Sequence, residues 1–239
     1  FGQQVRREAI RSLLLAVRNS APSAAAEQEL RDWLGILPEA DDPFHGLECA
    51  YRGEAARMAA ALSLGEGSRW YLEPWTWTLR DWDAGLCFLM DAGAPIARLD
   101  AAAALGEYMW LADSASQPYW QTSDERAQRS ADLGRRSPWK HPVRANWVAS
   151  HVSDMNDAAD ISAGCAAFRA GILCDIARLE TGRYPDRIDA VDPITGKPLV
   201  YDPDRGLLYS LGADADDDGG AFRVAGMDRD WSWPLRTGR

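Results

Sequence analysis

Residues 207–220 read LLYSLGADADDDGG, which places four aspartates within five positions (Asp214, Asp216, Asp217 and Asp218) directly ahead of Gly219 and Gly220. Neighbouring carboxylates repel one another, so such a turn is either fully solvated, or holds on to some protons, or is neutralised by a cation. Calcium suits it: a hard ion takes roughly six to eight oxygens, and aspartates at alternate positions followed by glycine wrap a loop around it. Asp214, Asp216, Asp218 and Gly219 reproduce the opening half of an EF-hand loop, D-x-D-x-D-G. The glutamate that closes such a loop is missing, because Ala225 stands at its position. A complete EF-hand is therefore excluded, and a calcium-ordered turn is favoured over a merely solvated one.

A second stretch with chemical content is WYLEPWTWTLRDWD, residues 70–83. Trp70, Trp75, Trp77 and Trp82 stand there among Glu73, Asp81 and Asp83. Indole faces line glycan and peptide grooves, and paired carboxylates carry out glycoside hydrolysis. The alternative functional reading is accordingly a hydrolase of cell-envelope glycans. Large aromatics on amphipathic helices are more often core, and that is the preferred reading of the stretch. His45, His141 and His151 are the only histidines. They show no HExxH or HxxxH spacing, so zinc chemistry is not indicated. His151 precedes Asp154 and Asp157 by three and six residues, an arrangement expected of a cluster at a helix N-terminus. No nucleophile elbow or phosphate-binding glycine loop occurs.

Composition narrows the classes further. The 239 residues carry a net charge of -10, which argues against nucleic acid as a partner and suits cations or basic proteins. No apolar run approaches the ~20 residues of a membrane span. The chain opens on Phe1 without an initiator methionine, which is read as a processing boundary that leaves room for an export signal or a membrane anchor upstream. Cys49, Cys87, Cys165 and Cys174 lack CxxC spacing. Cys165 and Cys174, nine residues apart on one helix, face opposite sides and do not pair with each other. Pairing of either with Cys49 or Cys87 stays open, as do four buried thiols.

The elements that position these residues follow from periodicity. Val5, Ile10, Leu13, Leu14 and Val17 mark one helical face. Ser23 is a candidate cap for a second helix ending near Gly35. Further helices are expected before Gly65, from Pro74 to Gly93, and over the alanine-rich segment after Gly93. Residues 114–142, rich in Ser, Gln and Arg, read as a long loop with one short helix. From about Ala145 a single long helix carries Met155, Ile161, Cys165, Phe168, Ile172, Ile176 and Leu179 and stops at Gly182. PLVYD and GLLYSL flank the turn PDRG as a hairpin, and AFRVAG and DWSWPL offer further strands. The fold class is α+β, predominantly helical: a helical bundle over 1–143, then a long helix and a small antiparallel β-sheet over 144–239.

LETGRYPDRIDAV, DPITGKPLVYD, LLYSLGADADDDGG and DRDWSW occur in an order that resembles the C-terminal domain of the type II secretion major pseudopilin. The run is similar, too, to the tail of a group of uncharacterised exported bacterial proteins. The resemblance covers about residues 165–233. It implies a calcium ion at the last loop, with Asp214 and Asp218 as side-chain ligands, carbonyls near Leu211, and Asp228 or Asp230 closing the site from the terminal segment. It also implies a non-enzymatic, periplasmic or extracellular protein with a protein partner. The N-terminal sequence GQQVRRE differs from the apolar helix on which pseudopilins assemble, so filament assembly is not expected.

Overall fold

The computed structural model describes residues 2–20, 25–39, 42–64, 95–137, 140–141, 143–211, 215–221 and 230–235. Among these are six helices: α1 (Gly2–Asn19), α2 (Glu27–Ile36), α3 (Asp42–Leu64), α4 (Pro95–Ala115), α5 (Tyr119–Gly134) and α6 (Ala149–Thr181). A wide helical turn over Arg144–Val148 leads into α6. Three short strands, β1 (Val200–Asp202), β2 (Leu207–Ser210) and β3 (Trp231–Pro234), form an antiparallel sheet in the order β1-β2-β3. The helix-dominated α+β class is the one expected, and the hairpin across PDRG and the strand within DWSWPL are both present. Ser23, AFRVAG from Phe222 onward, and the segment from Pro74 to Gly93 lie outside the described residues. Ala26 holds the cap position of α2 and makes no side-chain cap bond.

By proximity the chain divides into two units, one comprising 1–46, 118–120 and 156–239, the other 47–117 and 121–155. The first is built around the middle of α6, where every residue from Ala158 to Cys165 is buried. A helix enclosed on all sides needs small residues wherever neighbours come close. Ala158, Ala159, Ala163, Gly164, Ala167, Ala170 and Gly171 supply them, and Ile161, Phe168, Ile172 and Ile176 fill the space between. Leu14 of α1 lies over Gly164, and Arg11 reaches Asp160 at 2.9 Å. Arg169 secures the end of α2 by donating to the Leu34 and Leu37 carbonyls. The helix stops at Gly182, whose positive φ of 78° and bond to the Arg178 carbonyl close the last turn.

The sheet covers α6 with one face. Residues directly opposite one another in an antiparallel pair point the same way, so Leu208 with Trp233 and Ser210 with Trp231 form that face. All four are buried. The two indoles descend on glycines two helical turns apart. A β-carbon at Gly164 would stand 2.9 Å from the Trp231 ring, and one at Gly171 would overlap that of Trp233. Phe168 sits between, edge-on to both rings at 5.8 and 5.5 Å. Each buried indole N–H then needs an acceptor. Trp231 Nε1 donates to Asp160 Oδ1 at 2.8 Å, and Trp233 Nε1 to Asp175 Oδ2 at 2.9 Å. Asp160 is balanced by Arg11, and Asp175 also accepts from the Tyr184 hydroxyl at 2.7 Å.

In the second unit, the stretch 114–142 departs from its expected form. It holds α5, sixteen residues long, where a long loop with one short helix is expected. Thr122, Arg126 and Leu133 are buried there. They recur at helical spacing, but two of the three are polar, which is why no apolar period shows. Arg126 donates to the Thr122 hydroxyl one turn back, and Glu125–Arg129 and Asp132–Arg136 pair across single turns of the surface. Arg129 also reaches Glu107 at 2.8 Å and lies over the Trp110 ring. Asp100 of α4, buried, accepts from the Val143 and Arg144 amides and from Arg144 Nε at 2.6 Å, which ties down the turn ahead of α6.

His151 is placed differently from expectation. Helical backbone is already present at Arg144, so His151 lies seven residues in and past the cap. Its ring packs edge-on against Tyr51 and Tyr108, and Nδ1 is 3.3 Å from the Tyr108 hydroxyl. Cys49 and Cys174 carry free thiols, while Cys87 lies outside the described residues. Burial, reinforced by Asp175, pushes the Cys174 thiol up to about 12, so it stays protonated. Among the described residues no helix is long and apolar enough to cross a membrane.

Candidate functional site

The acidic turn lies against the sheet face opposite α6. Tyr209 and Leu207 alternate with Leu208 and Ser210, so they project to that other side. There they meet the turn: a β-carbon at Gly220 would stand 3.1 Å from Tyr209 Cδ1 and 3.3 Å from Leu207 Cδ1. Gly219 and Gly220 both have positive φ, 70° and 77°, which glycine adopts without a steric cost. Ala215 stands at φ 60°, in the region that side chains disfavour. Such a conformation persists where the surroundings enforce it, and it often marks a functional loop.

Several bonds hold the turn in this form. Asp217 Oδ1 accepts from the Gly219 amide at 2.8 Å and from the Tyr209 hydroxyl at 3.1 Å. Arg205, in the β1–β2 turn, donates to the Gly219 carbonyl at 2.9 Å. At the start of the turn, the Leu211 amide donates to Asp192 Oδ2 at 3.1 Å, and Asp192 Oδ1 accepts from the Ile194 amide. Asp192 belongs to the DPITGKP segment and is buried, so that segment anchors the entry to the acidic turn. Burial raises the Tyr209 phenol, and its bond to the Asp217 carboxylate raises it further.

Asp230 closes the arrangement from the terminal segment. It is fully buried, at 0% exposure. Its Oδ2 accepts from the Gly220 amide at 2.8 Å. Oδ1 is buried and has no hydrogen-bond partner. Desolvation pushes this carboxyl up to about 6, and the charges of Asp218 and Asp217 add to the rise against the pull of the Gly220 and Asp218 backbone amides. A buried carboxylate with one oxygen unspent, beside two more carboxylates, is a costly arrangement in the absence of a proton or a cation.

One buried oxygen beside the turn would suit a hard cation. Asp230 Oδ1 is a buried acceptor without a hydrogen-bond partner, and the carboxylates of Asp217 and Asp218 lie close enough to act on it. The other candidates, Asp216 and carbonyls near Leu211, would likewise offer oxygen alone. Oxygen-only ligation selects calcium or magnesium over zinc or copper. Among the described residues no group of three or more His, Cys, Asp or Glu stands in metal-holding geometry.

Of the residues singled out for this site, Leu211, Asp216, Asp218 and Asp230 are described, and Asp214 and Asp228 lie outside the described residues. The structure brings Asp230 to Asp217 and Asp218 across a sequence gap of twelve or more residues. Two residues that matter to the turn give no sign of it in the sequence: Tyr209 looks only like a strand residue, and Asp192 only like a turn former. Asp217 stands in the acidic run but off its alternate-residue pattern. The second candidate, Trp70, Glu73, Trp75, Trp77, Asp81, Trp82 and Asp83, lies wholly outside the described residues. Compared with known proteins, the chain matches no family model, no curated protein and no solved structure.

Proposed function

We propose that this is a non-enzymatic, exported or periplasm-facing protein whose C-terminal region is ordered by calcium and whose helical body docks a protein partner. The ion would neutralise the acidic turn and give Asp230 Oδ1 the partner it lacks. Asp216, Asp218 and carbonyls near Leu211 would share the ion, with Asp214 and Asp228 completing the set as the pseudopilin resemblance implies. Its role is structural: it joins the turn after β2 to the segment before β3. The observation that supports the reading best is the buried, unpartnered oxygen of Asp230 beside Asp217 and Asp218. An oxygen-only set around a strained loop suits calcium, which tolerates irregular geometry, better than magnesium, which demands an octahedron.

Calorimetric titration of calcium and magnesium into chelator-cleared protein tests this. The expected result is saturable binding of calcium only, weakened at least tenfold in Asp218→Ala. A dissociation constant of roughly 0.1–1 mM would match the range of extracellular calcium modules and so support export. Absence of a binding isotherm for calcium would remove the reading.

A further inference from the structure

We infer that the terminal strand β3 is a latch, seated on α6 by its two tryptophans and locked or released by the cation at the acidic turn. This rests on the calcium reading above. Three observations carry it.

The first is how the strand is held. β3 is an edge strand of four residues, paired among the described residues with β2 alone, and the Leu235 amide bonds to the Gly206 carbonyl just beyond it. Short edge pairings of this kind open readily. What keeps the strand down is therefore its side chains, the Trp231 and Trp233 rings over Gly164 and Gly171.

The second is how little tolerance that seating has. A ring that lies within 3 Å of a β-carbon position fits only in one place. Each indole also has its donor aimed at one carboxylate, Asp160 or Asp175. Packing of this kind is occupied or lost; it does not slide by degrees.

The third is where the cation site touches the strand. Asp230 is joined to Trp231 by one peptide bond. Its carboxylate is bound on one side to the acidic turn through Gly220 and is unpartnered on the other. An ion that ligates Oδ1 and the carboxylates of the turn fixes residue 230, and with it the entry of Trp231 into its notch. Without the ion, Asp217 and Asp218 repel Asp230, and the push acts on the residue that leads into the strand. Release would uncover the glycine-notched face of α6, with Phe168 and the two indole acceptors Asp160 and Asp175.

Hydrogen exchange of the whole chain tests the latch. Amides of 231–233 are compared in EGTA and in calcium, with α5 as internal control and calorimetry on the same samples. If opening of β3 releases the ion, exchange slows by up to about 100-fold at a calcium concentration about 100 times the dissociation constant. That slowing should be confined to the acidic turn, β3 and its partner β2, and it should vanish in Asp230→Asn. Should Asp230→Asn lose its native helix signal, Asp218→Asn replaces it as the variant. Calcium binding with unchanged exchange at 231–233 would overturn the latch and leave the calcium reading standing. Equal slowing along the whole chain would also overturn it. No calcium binding would overturn both.

Discussion

Gly171 and the Trp233 indole share one space: a β-carbon on Gly171 would fall inside the contact distance of Trp233 Cγ, Cδ1 and Cβ together. The relationship repeats two turns earlier with Gly164 and Trp231, so the last strand of the fold reads the small residues of its longest helix. Gly171→Ala should therefore destabilise the protein. The overpacking costs about 1–3 kcal/mol or more, and outweighs the gain of up to ~1 kcal/mol that alanine brings to a helix. Gly106→Ala in α4, where a β-carbon meets nothing within 4 Å, should show that gain alone. Denaturant midpoints shifted in opposite directions by the two variants check the packing.

Asp160 serves two partners at once, Arg11 and the Trp231 indole. Asp160→Ala should cost about 3 kcal/mol or more, since it takes the carboxylate from beside a partly buried guanidinium and removes the acceptor of the Trp231 indole N–H together. Asp160→Asn keeps a neutral acceptor and should cost less. Urea unfolding of both variants gives the comparison, and equal losses would contradict the double role.

The Asp230 carboxyl gives a pH signature. Its native value of about 6 stands above the ordinary 3.8, so between those limits the native state binds the extra proton. Stability from this group is complete below about pH 4 and is lost as the pH rises through about 6. In EGTA, Asp230→Asn should accordingly gain on the wild type by about 2 kcal/mol on going from about pH 4 to about pH 7. If calcium binds this carboxylate as proposed, it should abolish that difference. Melting curves across the range would show it.

Much of this architecture is legible in the residues. The apolar steps from Met155 to Ile176 mark α6, and PDRG between two apolar pairs marks the hairpin, because in both the local period and the tertiary burial agree. Where they part, periodicity misleads. Thr122 and Arg126 occupy buried positions of α5 that an apolar pattern would need, so a sixteen-residue helix looks like a loop with one short helix. The site shows the same division. Clustered aspartates announce an acidic turn, whereas the approach of Asp230 to Asp217 and Asp218 depends on a chain reversal that no local spacing records. Likewise, nothing in DWSW alone says that its rings require glycines at 164 and 171.

The most direct measurement is thermal unfolding of the chain in EGTA, followed by return of calcium or magnesium. A calcium-ordered turn predicts a calcium-selective rise, equivalent to about 2.7 kcal/mol at about 100 times the dissociation constant. The rise should be absent in Asp214→Ala and Asp218→Ala while their helical content is retained. A melting temperature indifferent to calcium, or equal responses in wild type and variants, would contradict calcium order and leave LGADADDDGG a solvated acidic turn.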